Sequence, residues 1–545
     1  MVVIHKDSRS MVTRDGVRLD ADLYYPQGST PLPALLMRQP YGRAIASTLV
    51  YAHPHWYAAQ GYVVIIQDVR GRGTSAGEFD LFAHEVEDGW DCLAWVAQLP
   101  ECDGTVGMYG FSYQGMTQLY AAANHSPILK TICPAMIAWD LYQDWAYENG
   151  AFCLQNNLGW ALQLAAETAK LQGNRQRFAR LYQLARAYDF NDPIPANPQT
   201  FQTLAPESFY QDWINRGATD PYWQRRSPNQ RWQTLDIPVL QIGGWFDPHL
   251  RGNLRLFQAL KQAEVPQKLV IGPWGHFPWG RRSGSQDYSE TAVSRIDQLQ
   301  IAWFDHYLKQ QPPRFSSACL DVFDLGNQQW RELHDFPNTD QTWYLQSSGL
   351  ASVQTGKLSQ EKLVNTVIEA DAFIHDPWRP VPSLGGHAGS PQGVFERGKL
   401  DDRADVLTYT SEPLSDLLTV CGVPELHIQV NGDRPSFDLA VTVSQITTNN
   451  HVLPFSQGYY HSPQGSARLT IPLQATCITL AKGDRLRVSI SGASFPAYAV
   501  NPGTGQPPTH AHLADQQVIT LMVMNSPDCT ANFKLPILAW VSIGQ

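Results

Sequence analysis
Charge is scarce in this chain. Only 17% of its 545 residues are Asp, Glu, Lys or Arg, and the 50 acids and 40 bases behind the formal net charge of -10 form no long run of one sign. A surface built for nucleic acid or an anionic membrane needs such a run, so neither partner is expected. No eighteen uninterrupted apolar residues occur, which argues against a membrane-spanning helix. The opening MVVIHKDSRSMVTRDG has neither the basic start nor the apolar stretch of a secretory leader, and a cytoplasmic protein is expected. The eight cysteines (Cys92, Cys102, Cys133, Cys153, Cys319, Cys421, Cys477 and Cys529) include no C-x-x-C pair. That spacing argues against a zinc cluster or disulfide scaffold and for buried free thiols. Internal repeats and low-complexity tracts are also missing.

What is present is enough apolar sequence for several domains. After the Asp15-Gly16 turn, Val17, Leu19, Ala21 and Leu23 alternate with Arg18, Asp20 and Asp22, as in a half-buried hairpin. PALLM (33–37) and YVVIIQDV (62–69) are continuous apolar runs suited to parallel strands covered on both faces. HEVEDGWDCLAWVAQL (84–99) places Val86, Trp90, Leu93, Ala94 and Ala97 on one helical stripe. The alternation predicts an α/β fold with a parallel sheet over residues 1–140. Residues 141–235, with Phe178, Leu181, Ala185 and Tyr188 at helical spacing, read as an inserted helical cap. IPVLQIGG and KLVIGPWG resume the sheet within 236–315, and short β-type runs fill 316–545, as in an antiparallel sandwich or jelly roll.

In open parallel sheets chemistry collects at the carboxyl ends of strands. The residues there are Ser112 after VGMYG, Asp247 after PVLQIGGWF and His276 after KLVIGPWG, a Ser, Asp, His order typical of α/β-hydrolases. A serine held in a sharp strand-to-helix turn can attack a carbonyl, a histidine can relay its proton, and an aspartate can orient the histidine. VGMYGFSYQG departs from G-x-S-x-G because Gln114 stands where the second glycine belongs and Gly115 follows one residue late. The backbone N–H of Tyr113 is one candidate oxyanion donor; Pro40 has no N–H, so the Tyr41 hydroxyl is the other, with the Gly42 backbone as an alternative. Asp140, Asp144 and Glu148 are spaced four apart at the start of the cap. On a helix they share a face, and Asp144 or Glu148 could anchor a substrate amine or belong to a salt-bridged surface.

The stretches RQPYGR, DVRGRGTSAGEF, GMYGFSYQG, GGWFD and GPWGH together resemble the cocaine esterase and Xaa-Pro dipeptidyl-peptidase (CocE/NonD) family of α/β-hydrolases. DPWRPVPSLGG, RADVLTYTSEPL, FDLAVTVSQI and NPGTG resemble its C-terminal jelly-roll domain, so the likeness spans nearly the full chain. The resemblance implies a serine hydrolase that cleaves carboxylic esters or amides of small molecules or short peptides through an acyl-enzyme. Ser112, His276 and Asp247 would form the relay and Tyr41 and Tyr113 the oxyanion hole, with no metal or cofactor. Xaa-Pro dipeptidyl-peptidase and α-amino-acid ester hydrolase or acylase are alternative activities within the family, and oligomeric state is left open.

Competing patterns are weaker. GRGTSAG (71–77) misses the G-x-G-x-x-G of a dinucleotide site by one residue, and its loop is better suited to letting Asp68 and Arg70 brace the edge of the site. HPH (53–55) and HAH (510–512) lack a third metal ligand. A carbohydrate- or partner-binding protein with a degenerate hydrolase core is the non-enzymatic alternative.

Overall fold
The structure, a computed structural model, describes residues 3–28, 30–45, 48–186, 192–232, 234, 236–362, 369–525 and 530–539; Tyr188 and Cys529 lie outside them. The turn at Asp15-Gly16 joins β1 (Ile4–Val12) to β2 (Arg18–Pro26) in the expected antiparallel hairpin, with Leu19, Ala21 and Leu23 fully buried. The continuous apolar runs become β3 (Leu32–Gln39), β4 (Val63–Asp68), β5 (Cys102–Phe111), β6 (Leu129–Ala135), β7 (Val239–Gly244) and β8 (Gln267–Gly272). β9 (Leu320–Asp324) and β10 (Gln329–Leu333) complete a ten-stranded sheet in the order β1-β2-β4-β3-β5-β6-β7-β8-β9-β10. Neighbours from β4 to β9 run parallel, whereas β2 meets β4, and β10 meets β9, antiparallel. The sheet thus takes its last two strands from beyond residue 315, where the division between domains was expected.

Both faces are covered, which is why these strands show no alternation. Leu36, Ile65, Val106 and Met108 pack with Leu93 and Met116 from the helices Glu85–Val96 and Tyr113–Ala122. Their sequence neighbours Leu35, Met37, Ile66 and Tyr109 pack on the other face with Trp303 and Phe304 of the helix Ile296–Lys309. The buried stripe of Glu85–Val96 is Val86, Gly89, Cys92, Leu93 and Val96, rotated from the expected one so that Ala94 is exposed. Two acids account for the rotation. Glu85 is drawn inward by the buried Arg38 at 2.7 Å and Asp88 by Arg70 at 2.7 Å.

Between β6 and β7 the chain is mainly helical, as expected, with Leu154–Leu171 and Arg175–Arg186 the longest segments. Tyr210, Trp213 and Trp223 are buried, so much of its aromatic content is core. Beyond residue 340 lies a β domain with an eleven-stranded, mostly antiparallel sheet and a two-stranded companion, Leu418–Gly422 with Thr476–Leu480. In Glu425–Gly432 the alternating Leu426, Ile428 and Val430 point into its core. Among the described residues seven cysteines are free thiols, all buried except the half-buried Cys319. Among the described residues no helix is long and apolar enough to cross a membrane.

Candidate active site
Ser112 follows β5 and caps the helix Tyr113–Ala122 with φ 59° and ψ -126°, a left-handed conformation unusual for a side-chain-bearing residue. Holding it costs about 1–3 kcal/mol, so the surroundings must impose it. They do so by close packing on both sides of the turn. A Cβ on Gly110 would stand 2.5 Å from that of Gln114, and one on Gly115 would stand 2.4 Å from Ile137 Cγ2 and 2.8 Å from the Ala135 carbonyl. The late glycine is therefore the point where the helix meets the end of β6. Gln114, in the position usually held by glycine, turns its amide oxygen back to accept from the Phe111 N–H at 3.3 Å.

The helix is anchored from below. Tyr113 is fully buried, and its hydroxyl donates to Glu85 Oε1 at 2.7 Å while Arg38 holds Glu85 Oε2 at the same distance. With the ring pulled into the core, the Tyr113 backbone N–H stays at the first helical position, where no intrahelical acceptor exists. That end of the helix favours negative charge.

The fold brings the other two strand-end residues together. His276 Nδ1 lies 2.8 Å from Oδ1 of the fully buried Asp247, and the imidazole sits 5.5 Å, centroid to centroid, from the ring of Phe111, the residue before Ser112. Both partners are held by the β domain: Gln392 Oε1 accepts from the His276 N–H at 2.6 Å, and Gln474 Nε2 donates to the Asp247 carbonyl at 2.7 Å. No local pattern in the sequence marks these two glutamines, because they act across more than a hundred residues of chain.

Tyr41 lies on the loop after β3, and its backbone N–H is already committed to Gln39 Oε1 at 2.9 Å. Its hydroxyl has Ser112 as a neighbour and accepts from Trp160 Nε1 at 3.1 Å. Burial pushes the phenol up to about 12 against the lowering effect of Trp160, so at neutral pH it is a hydrogen-bond donor. Asp68 braces this loop, accepting from the Arg43 backbone at 2.7 Å and from Gln39 Nε2 at 3.2 Å. Arg70 instead ties Asp15 to Asp88. Trp160 stacks on Trp145 at 5.0 Å, Trp145 meets His249 at 4.1 Å, and His249 meets His276 at 5.2 Å. An arc of rings thus runs from Tyr41 to His276. His249, missed in the sequence because it follows Asp247 by two residues at a helix start, is kept neutral by burial, its pKa lowered to about 3.

The two cap acids do not share a helical face. Tyr142–Ala146 is a π-turn and Tyr147–Glu148 a short strand, so the i, i+4 relation is lost. The buried Asp144 accepts from the Trp139 and Asp140 N–H groups at 3.0 and 2.7 Å and pairs with Arg255 at 3.3 Å. The buried Glu148 holds Arg251 at 2.7 Å, His387 at 2.8 Å, the Tyr498 hydroxyl at 2.6 Å and the Tyr459 N–H at 3.3 Å, linking the insert to the β domain. Burial raises its pKa, but Arg251 and His387 outweigh that and hold it at about 2. His53 and His55 stack on each other and meet the Tyr24 ring edge-on, and His510 bonds Asn215, so the two histidine pairs have separate partners. Asp247, His249 and His276 are the one group of three potential metal ligands among the described residues.

Sheet order, the strained serine and the bonded Asp-His pair fit a serine hydrolase of the α/β class, the class that the family matches assign. Residues 15–278 match the X-Pro dipeptidyl-peptidase (S15) family, and residues 316–523 match the X-Pro dipeptidyl-peptidase C-terminal non-catalytic domain. The chain belongs to the cocaine esterase and X-Pro dipeptidyl-peptidase family. It is 29% identical to a cocaine esterase from Rhodococcus sp. (strain MB1 Bresler), over 96% of this chain and 97% of that protein. An aminopeptidase from a marine sediment archaeon (Thaumarchaeota archaeon) superposes with a TM-score of 0.82 at 21% identity, covering 98% of this chain and 97% of the other. An α-amino acid ester hydrolase superposes at 0.80 with 23% identity and the same coverage. These two likenesses show the fold.

Two outcomes follow from the packing. Gly115→Ala, which forces a methyl against Ile137 and the Ala135 carbonyl, should lower thermal stability by about 1–3 kcal/mol; an unchanged melting temperature contradicts this role for the late glycine. Glu148→Gln should cost on the order of 3 kcal/mol at pH 7. Because the folded pKa lies below the ordinary 4.5, this stabilisation is present above about pH 4.5 and fades as pH falls toward 2. Melting curves of both proteins across that range should converge; equal stability at pH 7, with a raised KM only for amine-bearing substrates, would instead make Glu148 an amine anchor.

Proposed function
We propose that the protein hydrolyses carboxylic esters with a flat, apolar acyl group through an acyl-enzyme on Ser112. His276 Nε2 takes the Ser112 proton as Oγ attacks the carbonyl, and Asp247 holds the tautomer and stabilises the imidazolium. The tetrahedral oxyanion is met by the Tyr41 hydroxyl and the Tyr113 N–H at the helix start. His276 then protonates the leaving alcohol, and a water activated by the same imidazole releases the acid. The observation that carries this reading is the 2.8 Å bond between His276 Nδ1 and a fully buried Asp247, beside a serine held in a left-handed turn.

Three observations favour an ester over a peptide with a free amino terminus. Asp144 and Glu148 are already occupied by internal cations and N–H donors. The arc of Trp160, Trp145 and His249 surrounds the site with rings rather than free carboxylates, and the name of the relative cocaine esterase is that of an ester-cleaving enzyme. The antiparallel C-terminal sheet with its companion pair supports a jelly roll, and the free thiols support a cytoplasmic location.

The test is turnover of 4-nitrophenyl benzoate against glycyl-prolyl 4-nitroanilide. The ester should be the better substrate. Ser112→Ala and His276→Ala should each lower kcat by about 10⁴ or more. Tyr41→Phe should lower kcat by about 10²–10³ with little change in KM. With the Tyr41 phenol held at about 12, ionisation of this group should cause no loss of kcat between pH 8 and 10. Preferred cleavage of the anilide, abolished by acetylating its amine, would overturn the ester assignment, and an active Ser112→Ala would overturn the mechanism.

A further inference from the structure
A cavity of about 1120 Å³ lies between the loop from Gly71 to Ala83 and the helices of the insert, and none of Ser112, Asp247 and His276 lines it. Its walls carry six arginines, of which three are neutralised: Arg177 by Glu207, Arg216 by Asp212 and Arg226 by Asp80. Arg72, Arg225 and Arg231 have no ion pair among the described residues, and of the acids that line the cavity only the exposed Glu78 is likewise unpaired.

Arg72 is the decisive group. It is 1% exposed, its guanidinium lies 3.8 Å from the centre of the Phe79 ring, and it makes one hydrogen bond, from Nη1 to the Leu164 carbonyl at 3.2 Å. Among the described residues its buried Nε has no hydrogen-bond partner, nor has the buried Nε of Arg231. A buried guanidinium with no direct ion-pair partner, favoured only at longer range by Glu167, is costly, and the cost is relieved by an anion that accepts from the fork of N–H donors. Among the other lining residues an apolar portion is formed by Phe79, Leu81, Leu164, Ala165 and Phe209, beside polar groups such as Thr74, Ser75 and Gln172. A carboxylate with a small apolar body matches both features, because its head pairs with the planar guanidinium in bidentate fashion and its body covers the rings.

We infer that this cavity is a second ligand site, which binds a small organic carboxylate with its charged head on Arg72 and Arg231 and its apolar body between Phe79 and Phe209. Phe209 is also 5.0 Å from the Trp160 ring that bonds Tyr41, so one aromatic layer separates this site from the candidate active site. The inference stands on the charge and lining of the cavity and does not require the proposed turnover.

The probe is 4-bromobenzoate, whose bromine can be located by anomalous scattering in soaked crystals of the full chain, with affinity measured by calorimetry. The expected result is bromine density between Phe79 and Phe209 and binding at least tenfold weaker in Arg72→Gln. If Arg72→Gln fails to fold, Arg231→Gln, at a half-buried position, carries the test with the same direction of change. Density only beside Ser112 would identify a product complex and overturn the second site, as would the absence of density at saturation. Unchanged affinity in the folded variants, or displacement by inorganic phosphate at equal affinity, would also overturn it.

Discussion
The sheet must release its central strand into a helix through a serine that is not free to relax. Ser112 has a positive φ, and the neighbouring positions have no room for a side chain at Gly110 or Gly115. The strain is held by forces some distance from the hydroxyl. Tyr113 is drawn into the core by Glu85, Glu85 is fixed by a fully buried Arg38, and Arg38 in turn bonds Gln67 of β4. A buried charge pair contributes little net stability, yet removing one partner leaves the other stranded. That asymmetry suits a device whose task is to fix the direction of one helix.

The second half of the chain is part of the same device. The β domain supplies Gln392 to the His276 backbone and Gln474 to the Asp247 backbone, and His387, Tyr459 and Tyr498 to Glu148 of the insert. Three segments distant in sequence therefore meet around one histidine and one aspartate. The domain called non-catalytic in the matched family here holds both His276 and Asp247 through their main chain. Its contribution is geometric.

Much of this was legible in the residues themselves. Continuous apolar runs announced strands covered on both faces, and Ser112, Asp247 and His276 stood beyond the carboxyl ends of three of them. What stayed hidden depended on distant contacts. The stripe of Glu85–Val96 turned because Arg38 and Arg70 pull Glu85 and Asp88 inward, a preference that helical spacing alone cannot register. Spacing also placed Asp144 and Glu148 on one helical face, whereas a π-turn and a short hairpin send them to different partners. His249 was overlooked because a histidine at a helix start has an ordinary structural use, and only the packing of Trp145 and His276 around it brings it to the site.

If Ser112 is the activated nucleophile proposed above, a fluorophosphonate probe reports it without reference to any substrate. Covalent labelling of the folded protein should map by peptide mass spectrometry to the peptide containing Ser112 and should disappear in Ser112→Ala. A folded protein that stays unlabelled, or one labelled at another serine, would rule out Ser112 as the nucleophile.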